Sequence, residues 1–303
     1  MSNLKNYSEV LLEIKKVGNI KFKTMSEISY LDKNSQNKIL GIRHDIDSDL
    51  ETALKLARIE HRQGISSTYY VLHTAQYYWS DYLQKRSTRC LRILREIQEL
   101  GHEIGLHNDA LGVLLETGVS PIETLKKELD FLRGSSLSVT GTASHGSFHQ
   151  YNASNYEVFT GLSIDNRMEF TDVAGIKHPL NYIDPKELDL NYEANYILDS
   201  KLISSKEYSE KYCGRFVSKT DYIDWMTRDY DFQWGVFGKD FWIETNEKTG
   251  EVNLLSQKET IKRIVTSREF EVGVLDSHPE YFGNRKNRRI LNFFYRMLKG
   301  VFR

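Results

Sequence analysis

The chain has 303 residues, 40% of them hydrophobic, enough for a large core and within the range of one α/β barrel. A net charge of -1 argues against a general nucleic-acid binder, and two cysteines without a motif argue against a disulfide framework. No stretch approaches the roughly 20 apolar residues of a membrane span, and Met1 to Ile14 lacks the apolar run of a signal peptide, so a reducing, cytoplasmic setting is expected.

Taken in chain order, the pattern alternates between the periods of helix and strand. Leu11, Leu12, Ile14 and Val17 predict a leading amphipathic helix. Lys38 to Arg43 reads as a short apolar strand. Ser48 and Asp49 then offer N-caps to a helix bearing Leu50, Ala53, Leu54, Ala57 and His61, which Gly64 ends. Ser67 to Leu72 is β-rich. Thr88 to Leu100 is helical, with Leu91, Leu94, Ile97 and Leu100 in phase and Gly101 closing it. Glu103 to Leu106 is a strand, Pro121 to Leu132 a helix with proline in its first turn, and Leu137 to Thr142 a strand. A helix over Glu259 to Thr266 precedes a strand over Glu271 to Asp276. The span from Asn166 to Asn253 is harder to read, with a hairpin expected near Trp242 to Leu254. Strands and helices alternating at this spacing imply parallel βαβ units, and the four prolines mark no linker. The expected organisation is a single-domain barrel over 1–284 followed by a basic amphipathic helix over 285–303.

The polar residues that need a chemical reason sit at strand ends. Arg43-His44-Asp45-Ile46-Asp47 follows the first strand. In an extended chain Arg43, Asp45 and Asp47 face one way, and two carboxylates together need a cation or a shared proton. A calcium loop is excluded because Leu50 and Leu56 stand where glycine and glutamate are required. The Asp-x-Asp of phosphotransferases remains a remote alternative, with Asp49 replacing the usual Thr or Val. In Gly101-His102-Glu103-Ile104-Gly105-Leu106-His107 the histidines are five apart, which on a helix turns them about 140° from each other and rules out a zinc-protease helix. On a strand, His107 stands at the carboxyl end, where a barrel keeps its chemistry. His145 follows the strand ending at Thr142, and His278 follows the strand ending at Asp276. His61 and His178 read as structural, while His73, His102 and His149 stay open.

Together these segments resemble the polysaccharide deacetylase family (carbohydrate esterase family 4), in its divergent branch with Arg-His-Asp-x-Asp as first motif. The likeness covers Gly41 to Asp47, Ser67 to Leu72, Gly101 to Asp109, Ser144 to Gly146 and Leu275 to Phe282, in the family's order. It implies a distorted (β/α) barrel and a divalent metal, usually zinc, that acts on an N-acylated sugar. By that likeness Asp45 is the general base, Asp47 and His107 are metal ligands, and His278 protonates the leaving amine. The family's second metal histidine falls at Leu111, so His145 is expected as third ligand, with Asp109 as its substitute. Arg43 is expected to orient the base, since the family's arginine is missing from its usual place. A backbone N–H near Tyr69 or Tyr70 is expected at the oxyanion, and Asp199 and Asp276 are candidates to fix histidine tautomers.

The C-terminal segment stands apart. Arg285 to Arg303 carries seven basic residues and no acid, and Ile290, Phe294, Met297 and Val301 recur at helical spacing. That pattern suits either a helix closing the barrel or one lying on an anionic membrane, where a nucleotide-linked or lipid-linked sugar in surface polysaccharide or O-antigen assembly would be at hand. Alternative activities are a deformylase or other amide hydrolase, and a metal-free sugar-binding protein.

Overall fold

The computed structural model describes residues 3–16, 19–30, 38–80, 85–146, 153–160, 162, 167–172, 174–194, 232–236, 242–246, 252–255, 257–266 and 272–283. Asp199, Cys213, His149 and the 285–303 segment lie outside the described residues.

In chain order the elements are α1 (Asn3–Lys15), β1 (Ile20–Lys23), α2 (Met25–Ser29), β2 (Lys38–Ile46), α3 (Leu50–Arg62), β3 (Thr68–Leu72), a β4–β5 ribbon (Trp79–Ser80 and Lys85–Arg86) and α4 (Thr88–Glu99). There follow β6 (Glu103–Asn108), α5 (Ala110–Thr117), α6 (Pro121–Gly134), β7 (Gly141–Ser144), a β8–β9 hairpin (Glu169–Thr171 and Lys177–Pro179) and β10 (Tyr192–Glu193). The chain's last described elements are β11 (Phe232–Val236), β12 (Trp242–Asn246), β13 (Val252–Leu255), α7 (Gln257–Thr266) and β14 (Val272–Ser277).

Among the described residues one ten-stranded sheet runs β10-β7-β6-β3-β2-β14-β11-β12-β13, with β1 on the first half of β2. Every pairing from β10 to β11 is parallel, and β12 and β13 continue antiparallel. The sheet curls into a half-barrel, and among the described residues no ladder joins its two ends. This agrees with the expected mixed α/β architecture. Parallel strands need crossovers, and α3, α4 and the α5–α6 pair supply them with amphipathic faces. On α4, Cys90, Leu91, Ile93, Leu94 and Ile97 are buried, each large aliphatic side chain contributing about 1.5–3 kcal/mol. Local signals set the helix ends: Asp49, Ser87 and Ser120 cap α3, α4 and α6, and Ser120 forms a capping box with Glu123.

The inside of the half-barrel is layered. At its floor α2 lies across the sheet, where the Thr68 hydroxyl and the Glu103 carboxylate accept from the Met25 and Ser26 backbone N–H groups. Above that, the Tyr70 hydroxyl donates to Tyr192, which donates to Glu103. Two glycines make room for these rings. A Cβ on Gly105 would lie 2.4 Å from the Tyr70 ring, and one on Gly141 would lie 2.0 Å from the Tyr192 ring. Arg43 sits over Tyr70, 5.5 Å from the ring centre.

Three boundaries differ from expectation, each for a visible reason. β2 runs to Ile46 and β6 to Asn108, so Asp45 and His107 lie within the strands instead of after them, and Asp47 directly follows β2. A strand interior tolerates Arg43, Asp45 and His107 because they neutralise one another. Conversely, 137–140 is not strand: Arg133 donates to the Val139 carbonyl and the Gln98 side chain accepts from Ser138, satisfying that backbone without a ladder. The hairpin expected near Trp242 to Leu254 is present as β12 and β13, and β11 pairs antiparallel with β12 as a third strand. Among the described residues no helix is long and apolar enough to cross a membrane.

Candidate metal centre

The period of two divides β2 between two chemistries. Arg43 and Asp45 face the half-barrel's interior, while His44 faces the helical layer. Arg43 is almost fully buried and grips both Asp45 oxygens, its Nε at 3.2 Å from Oδ1 and its Nη2 bonded to Oδ2. The same Nε lies 3.4 Å from Asp276 Oδ1 on β14, across the register that pairs Asp276 with Arg43. Burial alone would raise the Asp45 carboxyl, but Arg43, then His107 and His278, hold it below the usual carboxylate range. Asp276 moves the other way: burial and the charge of Asp45 raise it despite Arg43. The two neighbouring carboxyls are thus shifted in opposite directions.

Asp47, one residue beyond β2, is where three elements meet. His107 Nε2 from β6 is 3.4 Å from Asp47 Oδ1, and His145 Nε2, just past β7, is 3.8 Å from the same oxygen. The ligand atoms of Asp47, His107 and His145 all lie within 4.8 Å of one another. Around a tetrahedral ion with bonds of about 2.1 Å, neighbouring ligand atoms would be about 3.4 Å apart. Asp47 Oδ1 is buried, and the two imidazole nitrogens are its polar neighbours.

Each imidazole is aimed by its other nitrogen. His107 Nδ1 lies 2.8 Å from the Ala143 carbonyl, which fixes Nε2 toward Asp47. His145 extends the β6–β7 ladder by donating its backbone N–H to the Asn108 carbonyl, and its Nδ1 faces Asp109 Oδ1 at 3.7 Å. Asp109 is itself held by the Thr74 hydroxyl and the Asn155 amide. Burial opposes ionisation of Asp109, yet His145 and Thr74 bring it down to about 2. Asp109 therefore stands behind His145 as its carboxylate partner, not in its place as a ligand. Leu111 is fully buried on α5, its backbone N–H donated to Asn155, and offers no ligand.

The site's charge follows from this crowding. Burial would lower His107, but Asp45 and Asp47 outweigh it and push the ring up to about 9. Asp47 is held well below the ordinary range, with burial overcome by His107, His278 and His145. His278, one residue past β14, lies with Nε2 3.5 Å from Asp47 Oδ2, opposite the oxygen that the other two histidines face. Burial works against its charge, and Asp47, Asp276 and Asp45 raise it overall.

Six expected site residues, Arg43, Asp45, Asp47, His107, His145 and His278, therefore gather at the carboxyl ends of β2, β6, β7 and β14. One expectation needs correction. Tyr69 and Tyr70 lie mid-strand in β3, paired on both edges, so their N–H groups belong to the ladder and form no oxyanion hole. Asp276 also reaches Arg43 across the β2–β14 register. His73, left open by the sequence, accepts the Asp109 backbone N–H, and burial lowers it to about 4, consistent with a neutral structural ring. Asn155, which steadies Asp109 and donates to the His145 carbonyl, carries no sequence signal that would have found it.

No family model, no curated protein and no solved structure matches the chain.

Proposed function

We propose that the chain is a metal-dependent amide hydrolase that removes an N-acyl group from a sugar. The observation that carries the reading is the convergence of Asp47, His107 and His145 beside an Arg43-held Asp45, with His278 across Asp47. One carboxylate and two imidazoles suit zinc and would leave a position open to substrate. A bound divalent ion would polarise the acyl carbonyl and ease ionisation of water. Asp45, kept ionised by Arg43, accepts the proton of the attacking water. His278, whose raised affinity for a proton suits a donor, gives one to the departing amine. The order of these residues along the chain is that of the polysaccharide deacetylases, which is why an N-acyl sugar is favoured over other amides.

A metal-free sugar-binding protein is the second reading, favoured by Leu111 at the position of the family's second histidine. Metal analysis separates the two. Zinc near one per chain, lost in His107→Ala, supports the hydrolase. A panel of N-acetyl and N-formyl sugars, assayed for released acid, then identifies the acyl group. No metal, and no turnover that Asp45→Asn abolishes, would end the hydrolase reading.

A further inference from the structure

Directly behind the site, on the helical side of the sheet, lies a second polar cluster that the chemistry above leaves unused. His44 and Glu60 are fully buried, and His44 Nε2 is 2.7 Å from Glu60 Oε1. Glu60 also accepts from the hydroxyls of Tyr7, Ser67 and Tyr69. On the other side of the ring, His44 Nδ1 is 2.7 Å from the Ser277 hydroxyl. Burial opposes the Glu60 charge, but His44 and the surrounding donors bring it down to about 2, so it is ionised. A carboxylate at Nε2 calls for a proton there, and Nδ1 on the far side of the ring meets the Ser277 hydroxyl.

This is the order of a serine–histidine–acid chain, but Ser277 is almost fully buried and meets no substrate. Its place in the backbone gives it another use. Ser277 pairs with His44 in the β2–β14 register, between Asp276, which pairs with Arg43, and His278. His44 in turn lies between Arg43 and Asp45. The hydrogen-bonded chain thus clamps the two strand ends that carry the acid and the base.

We propose that Glu60, His44 and Ser277 form a positioning relay that holds His278 at its distance from the Asp47 carboxylate. Its consequence for turnover rests on the hydrolase reading above; its geometry does not. The test compares imidazole NMR spectra of the full chain with those of Ser277→Ala and Ser277→Thr. In Ser277→Ala the His278 ring signals shift while those of His107 and His145 stay, and Ser277→Thr, which keeps the hydroxyl, restores them. Titration with zinc alone gives the same affinity in all three. On N-acetylglucosamine oligomers kcat falls about 10–100-fold in Ser277→Ala with KM unchanged, the cost expected of a slightly misplaced catalytic group. Glu60→Gln, close in size, replaces Ser277→Ala should that variant fail to fold. Unmoved His278 signals beside a lowered Tm would overturn the relay and leave a purely structural network. Absence of turnover in the unaltered chain would sink the hydrolase reading alone, since the NMR comparison judges the relay without it.

Discussion

Metal binding at Asp47, His107 and His145 should be coupled to proton release. In the metal-free chain the His107 ring is pushed up to about 9, because Asp45 and Asp47 outweigh its burial. A ligating nitrogen must have lost its proton, so metal and proton compete for Nε2. At pH 7 the ring lies about two units below its pKa, which costs about 3 kcal/mol, or about 100-fold in apparent affinity. Affinity therefore climbs as pH rises toward 9 and levels off above it. Asp45 and Asp47 are already ionised and release nothing. Zinc titrations by calorimetry in two buffers of different ionisation enthalpy count the protons. About one per zinc should come from His107 at pH 7. Asp45→Asn removes the largest charge holding that proton and should lower the count. A count near zero at pH 7, with affinity flat between about pH 6 and 8.5, would refute the reasoning.

Other consequences follow from the same geometry. Without metal, the His107 proton stabilises the fold: its ordinary value of 6.5 rises to about 9, so the contribution is complete below 6.5 and lost as pH climbs through 9. Thermal melts of the metal-free chain should accordingly fall across that window, and those of the zinc-loaded chain should not. Asp109→Ala removes the carboxylate behind His145 and should weaken zinc binding about 10–100-fold in a competition titration, leaving stoichiometry unchanged. Gly105→Ala drives a methyl into the Tyr70 ring and should cost about 1–3 kcal/mol in denaturant unfolding. Arg43→Met strands the buried Asp45 carboxylate and should cost about 3–5 kcal/mol, more than the double change Arg43→Met/Asp45→Leu, which removes both charges.

Much of the site was legible before any fold was known. A polar residue at the end of an apolar strand contradicts its surroundings, and that contradiction marks Asp45, Asp47, His107, His145 and His278 in the sequence. Period and capping chemistry likewise located α3, α4 and α6 to within a few residues, because N-caps and closing glycines are local interactions. Failures came where backbone partners are distant in sequence. Nothing local says that Arg133 and Gln98 take over the hydrogen bonding of 137–140, or that α5 starts at Ala110.

What the sequence determined by itself was which polar residues break the apolar pattern and near which kind of element each one lies, since both depend on residue type and short-range period. Which of them meet was decided by the tertiary structure: the parallel register of the strands, the loops that leave their carboxyl ends and the crossover helices. It sets His107 beside Asp47, places Asp109 behind His145 instead of in its stead, and turns His44 away from the site toward Glu60. Those contacts, and the one from His44 to Ser277, join residues from 16 to 233 positions apart, which no local pattern records.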